Sequence, residues 1–183
     1  MTTPEFLAEP AELASWLGTA ENDPKTLNAL RAATRRFRGA VGHDVTLATD
    51  TVVLDGNGRE ALLLPVWPAT EVASVDLDGE ALVDGTDYAW SEAGILRRLC
   101  RRCWPDSLRC LTVTYSHGWE TVPGEIQEAV IDQARSMFYV RPGVQSMTTG
   151  AQSVSYGAQA SVGVTDQWSQ AVARHKVRTS GDI

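Results

Sequence analysis

The stretch Leu111-Thr112-Val113-Thr114-Tyr115-Ser116-His117-Gly118-Trp119-Glu120-Thr121-Val122-Pro123 changes its period, and that change decides how the rest of the chain is read. Leu111, Val113 and Tyr115 alternate with Thr112 and Thr114, the two-residue repeat of a strand with one buried and one wet face. Pro123 then opens a helix, because a proline in the first turn gives up no intrahelical hydrogen bond. Ile126, Val130, Ala134, Met137 and Phe138 share its core face, Glu125 lies in the first turn where the helix dipole favours an acid, Arg141 lies in the last, and Pro142-Gly143 stops it.

Upstream, Val45, Leu47 and Val52-Val53-Leu54 are β-type residues, and Asp55-Gly56-Asn57-Gly58 is a strong hairpin signal. Ala61 to Val66 reads as a short apolar strand ended by Pro65 and Pro68. Val72 to Leu77 alternates, Asp78-Gly79 turns, Ala81-Leu82-Val83 returns, Asp84-Gly85 leads to Tyr88-Ala89-Trp90, and Gly94-Ile95-Leu96 follows. The expectation is an antiparallel meander of about five or six short strands.

Two helical segments precede it. Pro10 and Gly18 bound a short helix with Leu13, Trp16 and Leu17 on one side. Asp23-Pro24 supplies an N-cap and a first-turn proline for a helix to about Val41, with Leu27, Leu30, Thr34, Phe37 and Val41 as its buried stripe and Arg31, Arg35 and Arg38 beside it. Beyond the Pro123 helix, Gln145 to Gly163 is rich in Ser, Thr, Gln, Gly and Ala and reads as a flexible arm, with Val154 and Tyr156 hinting at a weak strand. Thr165 then caps a short helix carrying Trp168, Val172 and Arg174-His175-Lys176. A Trp beyond a flexible linker needs a surface to bury against, and another chain is one source of it. The expected fold is α+β: a small helical bundle with an inserted antiparallel β-meander, a flexible arm and a C-terminal helix. Its expected divisions are a helical extension (1–24), a core of helix, meander and helix (25–144), and the arm with its docking helix (145–183).

Composition bounds what such a fold does. The 183 residues are 43% hydrophobic and carry 16 Lys+Arg against 23 Asp+Glu, a net charge of −7, which suits a soluble globular chain. No apolar run reaches the length of a membrane span and the first residues lack the pattern of a signal peptide, so membrane and secreted classes are not expected. Three cysteines, an odd number, argue against a disulfide framework. The acidic total disfavours a general nucleic-acid binder. Charge is segregated, however: −5 over 1–24, +5 over 25–43, −10 over 44–92 and +4 over 93–118. Such blocks fit either one protomer pairing its own elements or a protomer showing unlike faces to identical neighbours.

Chemistry-bearing groups are few. Cys100, Cys103, Cys110 and His117 have the residue types of a tetrahedral zinc site, against which stand the flanking arginines and the strand geometry needed to bring His117 to the same point. Arg97, Arg98, Arg101, Arg102 and Arg109 lack the aromatic platform or glycine-rich cradle of a phosphate site, so ion pairing within or between subunits is the favoured reading, as it is for Arg31, Arg35 and Arg38. There is no G-x-S-x-G, P-loop or H-E-x-x-H pattern, and paired acids such as Asp76 and Asp78 sit beside turn glycines. No enzyme and no cofactor is expected.

As an ensemble, Leu63-Leu64-Pro65-Val66-Trp67-Pro68, Val72-Ala73-Ser74-Val75, the Asp78-Gly79 turn, Tyr88, Gly94-Ile95-Leu96, Trp104-Pro105 and Val113-Thr114-Tyr115-Ser116-His117-Gly118-Trp119 leading into the Pro123 helix resemble the head-to-tail connector, or adaptor, family of tailed bacteriophages. The resemblance spans about residues 25 to 145; the cysteine cluster and its arginines depart from it. It implies a structural protein of the virion neck, assembled in the host cytoplasm. Members form a ring, usually a dodecamer, beneath the portal protein, continue the DNA channel without sequence-specific binding, and present a platform to the stopper or tail-completion protein. Their C-terminal segments dock on the portal, which by position in the chain makes Trp168, Val172, Arg174 and Lys176 docking candidates. A ring also makes Arg31, Arg35, Arg38, Arg97 and Arg101 candidates for contacts between subunits. The alternatives are a tail-completion or other phage morphogenesis protein on a related scaffold and, from another class, a zinc-stabilised nucleic-acid-binding module around Cys100 to His117.

Overall fold

The structure, a computed structural model, describes residues 4–139, 146–149, 152–155 and 165–178. It divides into a helical unit, Pro4–Val41 with Val122–Arg174, and a sheet unit, Gly42–Thr121 with the tail from His175. The α+β class expected from the period change stands, with the β-rich segment inserted between helices of one unit. No described helix is long and apolar enough to cross a membrane.

In the helical unit, α1 (Pro10–Leu17) starts at its proline and ends at Gly18, whose φ of 66° is the left-handed conformation glycine adopts without a Cβ penalty. α2 (Pro24–Val41) is capped as expected: the Asp23 carboxylate accepts the Thr26 N–H at 2.8 Å and the Thr26 hydroxyl at 2.9 Å. Those bonds favour the ionised carboxyl and hold its pKa below the ordinary value. α3 (Gly124–Tyr139) buries Ile126, Ala129, Val130 and Ala134 alongside Leu30, Ala33 and Phe37 of α2 and Leu13 of α1. Arg141 and Pro142-Gly143 lie outside the described residues.

The sheet unit departs from a serial meander. Its strands are β1 (Ala48–Leu54), β2 (Ala61–Leu63), β3 (Ala69–Leu77), β4 (Glu80–Ala81), β5 (Tyr88–Trp90), β6 (Ile95–Arg98) and β7 (Leu111–His117). All pair antiparallel, but in two sheets ordered β1-β7-β3-β4 and β2-β6-β5. Asp55-Gly56-Asn57-Gly58 is therefore a crossover between sheets and not the expected hairpin. Asp55 Oδ1 accepts the Arg109 N–H at 2.7 Å and the Gly56 N–H donates to Ser107 O at 2.8 Å, tying the segment to the loop before β7. Glycine stands at 56 for space: a Cβ there would lie 1.9 Å from Pro105 O. The Asp78-Gly79 hairpin does form, with φ of 52° and 85° at its two central residues. Strict alternation would send Val72 and Val75 to opposite faces; a register shift between Val72 and Ser74 turns both inward. Leu62, Leu64, Val72, Val75, Tyr88, Leu96, Trp104, Leu111, Val113 and Tyr115 then make one core drawn from both sheets.

Of the predicted arm, the described part is an antiparallel ribbon of β8 (Ser146–Thr149) and β9 (Gln152–Ser155), and the rest, Tyr156 included, lies outside the described residues. α4 (Asp166–His175) has the predicted cap, the Trp168 N–H donating to Thr165 Oγ1 at 3.1 Å.

Candidate functional site

The three histidines of the chain, far apart in sequence, meet in the sheet unit. β7 delivers His117 next to β1, where its Nε2 lies 3.0 Å from Asp50 Oδ2 and its ring 5.1 Å from that of Tyr115. Gly118, with φ of 91°, lets the chain after β7 press against Thr46, whose carbonyl oxygen would be 2.5 Å from any Cβ. That approach aligns Trp119 with the segment after α2: the Trp119 N–H donates to Val45 O and the Leu47 N–H to Trp119 O. His43 follows α2, its ring 6.5 Å from His117.

The C-terminal tail fills the remaining side. His175 is buried, stacked on Trp67 at 5.6 Å and edge-on to Trp119 at 4.9 Å. Arg178 also lies over the Trp67 ring, its guanidinium 4.9 Å from the centroid, its backbone N–H donating to Pro65 O and its Nη1 to Ala93 O. His43 Nε2 is 2.7 Å from His175 O and its Nδ1 2.8 Å from Asp44 O. Both partners are carbonyl oxygens, which only accept, so a protonated ring nitrogen of His43 has an acceptor on either side. Tyr115 completes the cluster: its hydroxyl oxygen accepts the Val66 N–H, and burial, reinforced by the Asp50 charge, raises its pKa. Each imidazole is thus engaged with a neighbour, and the arrangement is a clasp on the tail. Sequence reading missed it; the Ser-His-Gly-Trp string marked one wall only, because His43 and His175 have no local pattern.

The zinc geometry is not formed. Cys100 and Cys103 are exposed, buried Cys110 donates its S–H to Ser107 O, His117 faces Asp50, and among the described residues no three ligating side chains converge. The arginine candidates separate. Arg31 pairs with Glu5 at 2.6 Å, Arg38 donates to Pro4 O, and Arg97 pairs with Glu60 at 2.9 Å, all within the chain. Arg35 and Arg101 are exposed and make no ion pair among the described residues. Arg98, read with that cluster as an ion-pairing residue, is instead buried with its guanidinium over the Trp104 ring.

The docking candidates also divide. Trp168 is 4% exposed and meets Phe37 edge-on at 5.2 Å, so its own helical unit offers a surface to bury it. Arg174 pairs with Glu125, Val172 is half-buried and Lys176 exposed.

A helical unit with an inserted pair of antiparallel sheets defines an α+β protein. The sequence model for head completion proteins matches residues 11–175, and the chain belongs to the head completion protein family of phage structural proteins. That agrees with the connector resemblance read from its motifs. Its fold is similar to that of a chain in the neck of a native GTA particle computed with C12 symmetry, at 19% identity and a TM-score of 0.56. The match covers 99% of this chain and 95% of that one. It is similar also to a chain in the neck of an empty GTA particle computed with C6 symmetry (16% identity, TM-score 0.55) and to one in the virion of a native gene transfer agent particle (15%, 0.56), each again covering 99% and 95%. No curated protein sequence matches the chain.

Proposed function

We propose that the chain is a neck protein of a phage or phage-like particle that assembles as a ring between the portal and the stopper or tail-completion protein and continues the DNA channel. The observation that carries this is the family match over residues 11–175, with the fold shared along almost the whole chain with neck subunits of symmetric particles as support. Segregated charge suits a head-to-tail interface, which closes into a ring when the rotation permits. A net charge of −7 suits a protein that surrounds DNA without gripping it. Trp168, Val172, Arg174 and Lys176 remain the portal-docking candidates; Lys176 and Arg174 are exposed, while Trp168 packs on Phe37 in the free chain and anchors the helix that carries them.

The test is electron microscopy and light scattering of the full chain, alone and mixed with its portal. Rings, alone or seated on the portal, are expected. A monomer that persists at every concentration and ignores the portal overturns the reading.

A further inference from the structure

Among the described residues, two oppositely charged faces, one in each unit, are left open. On α2, Lys25, Asn28, Ala32, Arg35, Arg36 and Gly39 fall within one arc of the helix, opposite the buried arc of Leu30, Phe37 and Val41. That arc holds three cations and no acid, and a Cβ on Gly39 would meet nothing within 4 Å. Lys25 lies over the Phe138 ring at 3.9 Å, and neither Arg35 nor Arg36 has an ion pair among the described residues. In the sheet unit, the β3–β4 hairpin and the turn after it carry Asp78, Glu80 and Asp84, all exposed. Val83, 59% exposed, stands beside them, and Gly79 and Gly85 again border open space. Asp87, the nearby acid, is already held by Arg102.

We propose that these faces are the two halves of one interface between copies: the basic arc of α2 in one protomer receives the acidic hairpin of the next. Charge complementarity selects a second copy as the occupant. It also selects the symmetry, because a two-fold contact would set base on base or acid on acid, whereas a head-to-tail contact pairs unlike faces and leaves each protomer one of each to offer onward. Ala32 and Gly39 leave room at the middle of the arc for Val83, so the contact has an apolar centre with a charged rim. This inference rests on the ring reading and specifies which surfaces make the ring.

The test uses two full-length double variants, Arg35→Glu with Arg36→Glu, and Glu80→Lys with Asp84→Lys, followed by sedimentation velocity with and without portal. Far-UV circular dichroism shows that each is folded. Each variant alone is expected to lose assembly by roughly tenfold or more in concentration, since both of its interfaces become like-charged. An equimolar mixture is expected to assemble again, because every contact between the two variants restores opposite charge. Arg35→Lys with Arg36→Lys is expected to assemble like the wild type. Normal assembly of either charge-reversed variant alone, or a mixture no better than its parts, overturns the proposal while leaving the ring intact. A wild-type chain that never assembles overturns the ring reading itself.

Discussion

Gly56 shows how one residue type serves two purposes. Asp-Gly-Asn-Gly is written as a turn, and the sequence pattern has no means of distinguishing a glycine needed for its dihedral angles from one needed for its missing side chain. Gly58, at φ 70°, is the former; Gly56, with Pro105 O and Cys110 Sγ within 3.0 Å of any Cβ, is the latter. Gly56→Ala is therefore expected to cost about 1–3 kcal/mol or more through overpacking against backbone that has nowhere to go. Gly58→Ala is expected to cost about 1–2 kcal/mol through backbone strain alone. Denaturant unfolding of the two variants separates the cases, and a neutral Gly56→Ala would contradict the close approach.

Helices were legible as elements because their boundaries are written in local chemistry. Asp23-Pro24, Pro10 to Gly18 and Thr165 each satisfy or end a helical terminus within a few residues. What an element buries against is not local: Phe37 faces Trp168 across a long interval of sequence, and no pattern around either residue announces the pair. Trp168→Ala is accordingly expected to destabilise the helical unit by about 3–5 kcal/mol, the usual range for removing a buried aromatic side chain. Thermal unfolding that barely changes would assign Trp168 to the docking surface itself. The tail clasp belongs to the same scale. His43→Ala removes the side chain that bonds His175 O, and limited proteolysis of the tail is expected to accelerate several-fold while the strands remain protected. An unchanged cleavage rate would mean that Trp67, Trp119 and Arg178 hold the tail without it.

At the scale of the whole chain, class and family were legible and strand order was not. Class follows from period, which each segment carries in itself; the exchange of β1 from a hairpin with β2 to a pairing with β7 follows from contacts that join Asp55 and Gly56 to residues beyond 100. The same remote contacts account for the fate of the cysteines and His117, which neighbours elsewhere in the sheet unit draw apart. Chelation is therefore expected to leave the melting temperature unchanged, and a fall after treatment with a strong zinc chelator would show that metal supports the fold.

The order of strands also sets a timetable. β7, the centre of the larger sheet, is the last of that sheet's strands to leave the ribosome, so β1 and the inner edge of β3 wait without their partner until Leu111–His117 appears. The helical unit waits longer, since Val122–Arg174 is made after the whole strand-bearing insertion. A nascent chain thus holds unpaired edges from the making of β1 until that of β7, the condition under which strands find wrong partners. β1 meets it with Asp50 on an exposed position between Thr49 and Thr51, a charged, polar first half that makes its edge a poorer template for another strand while it waits.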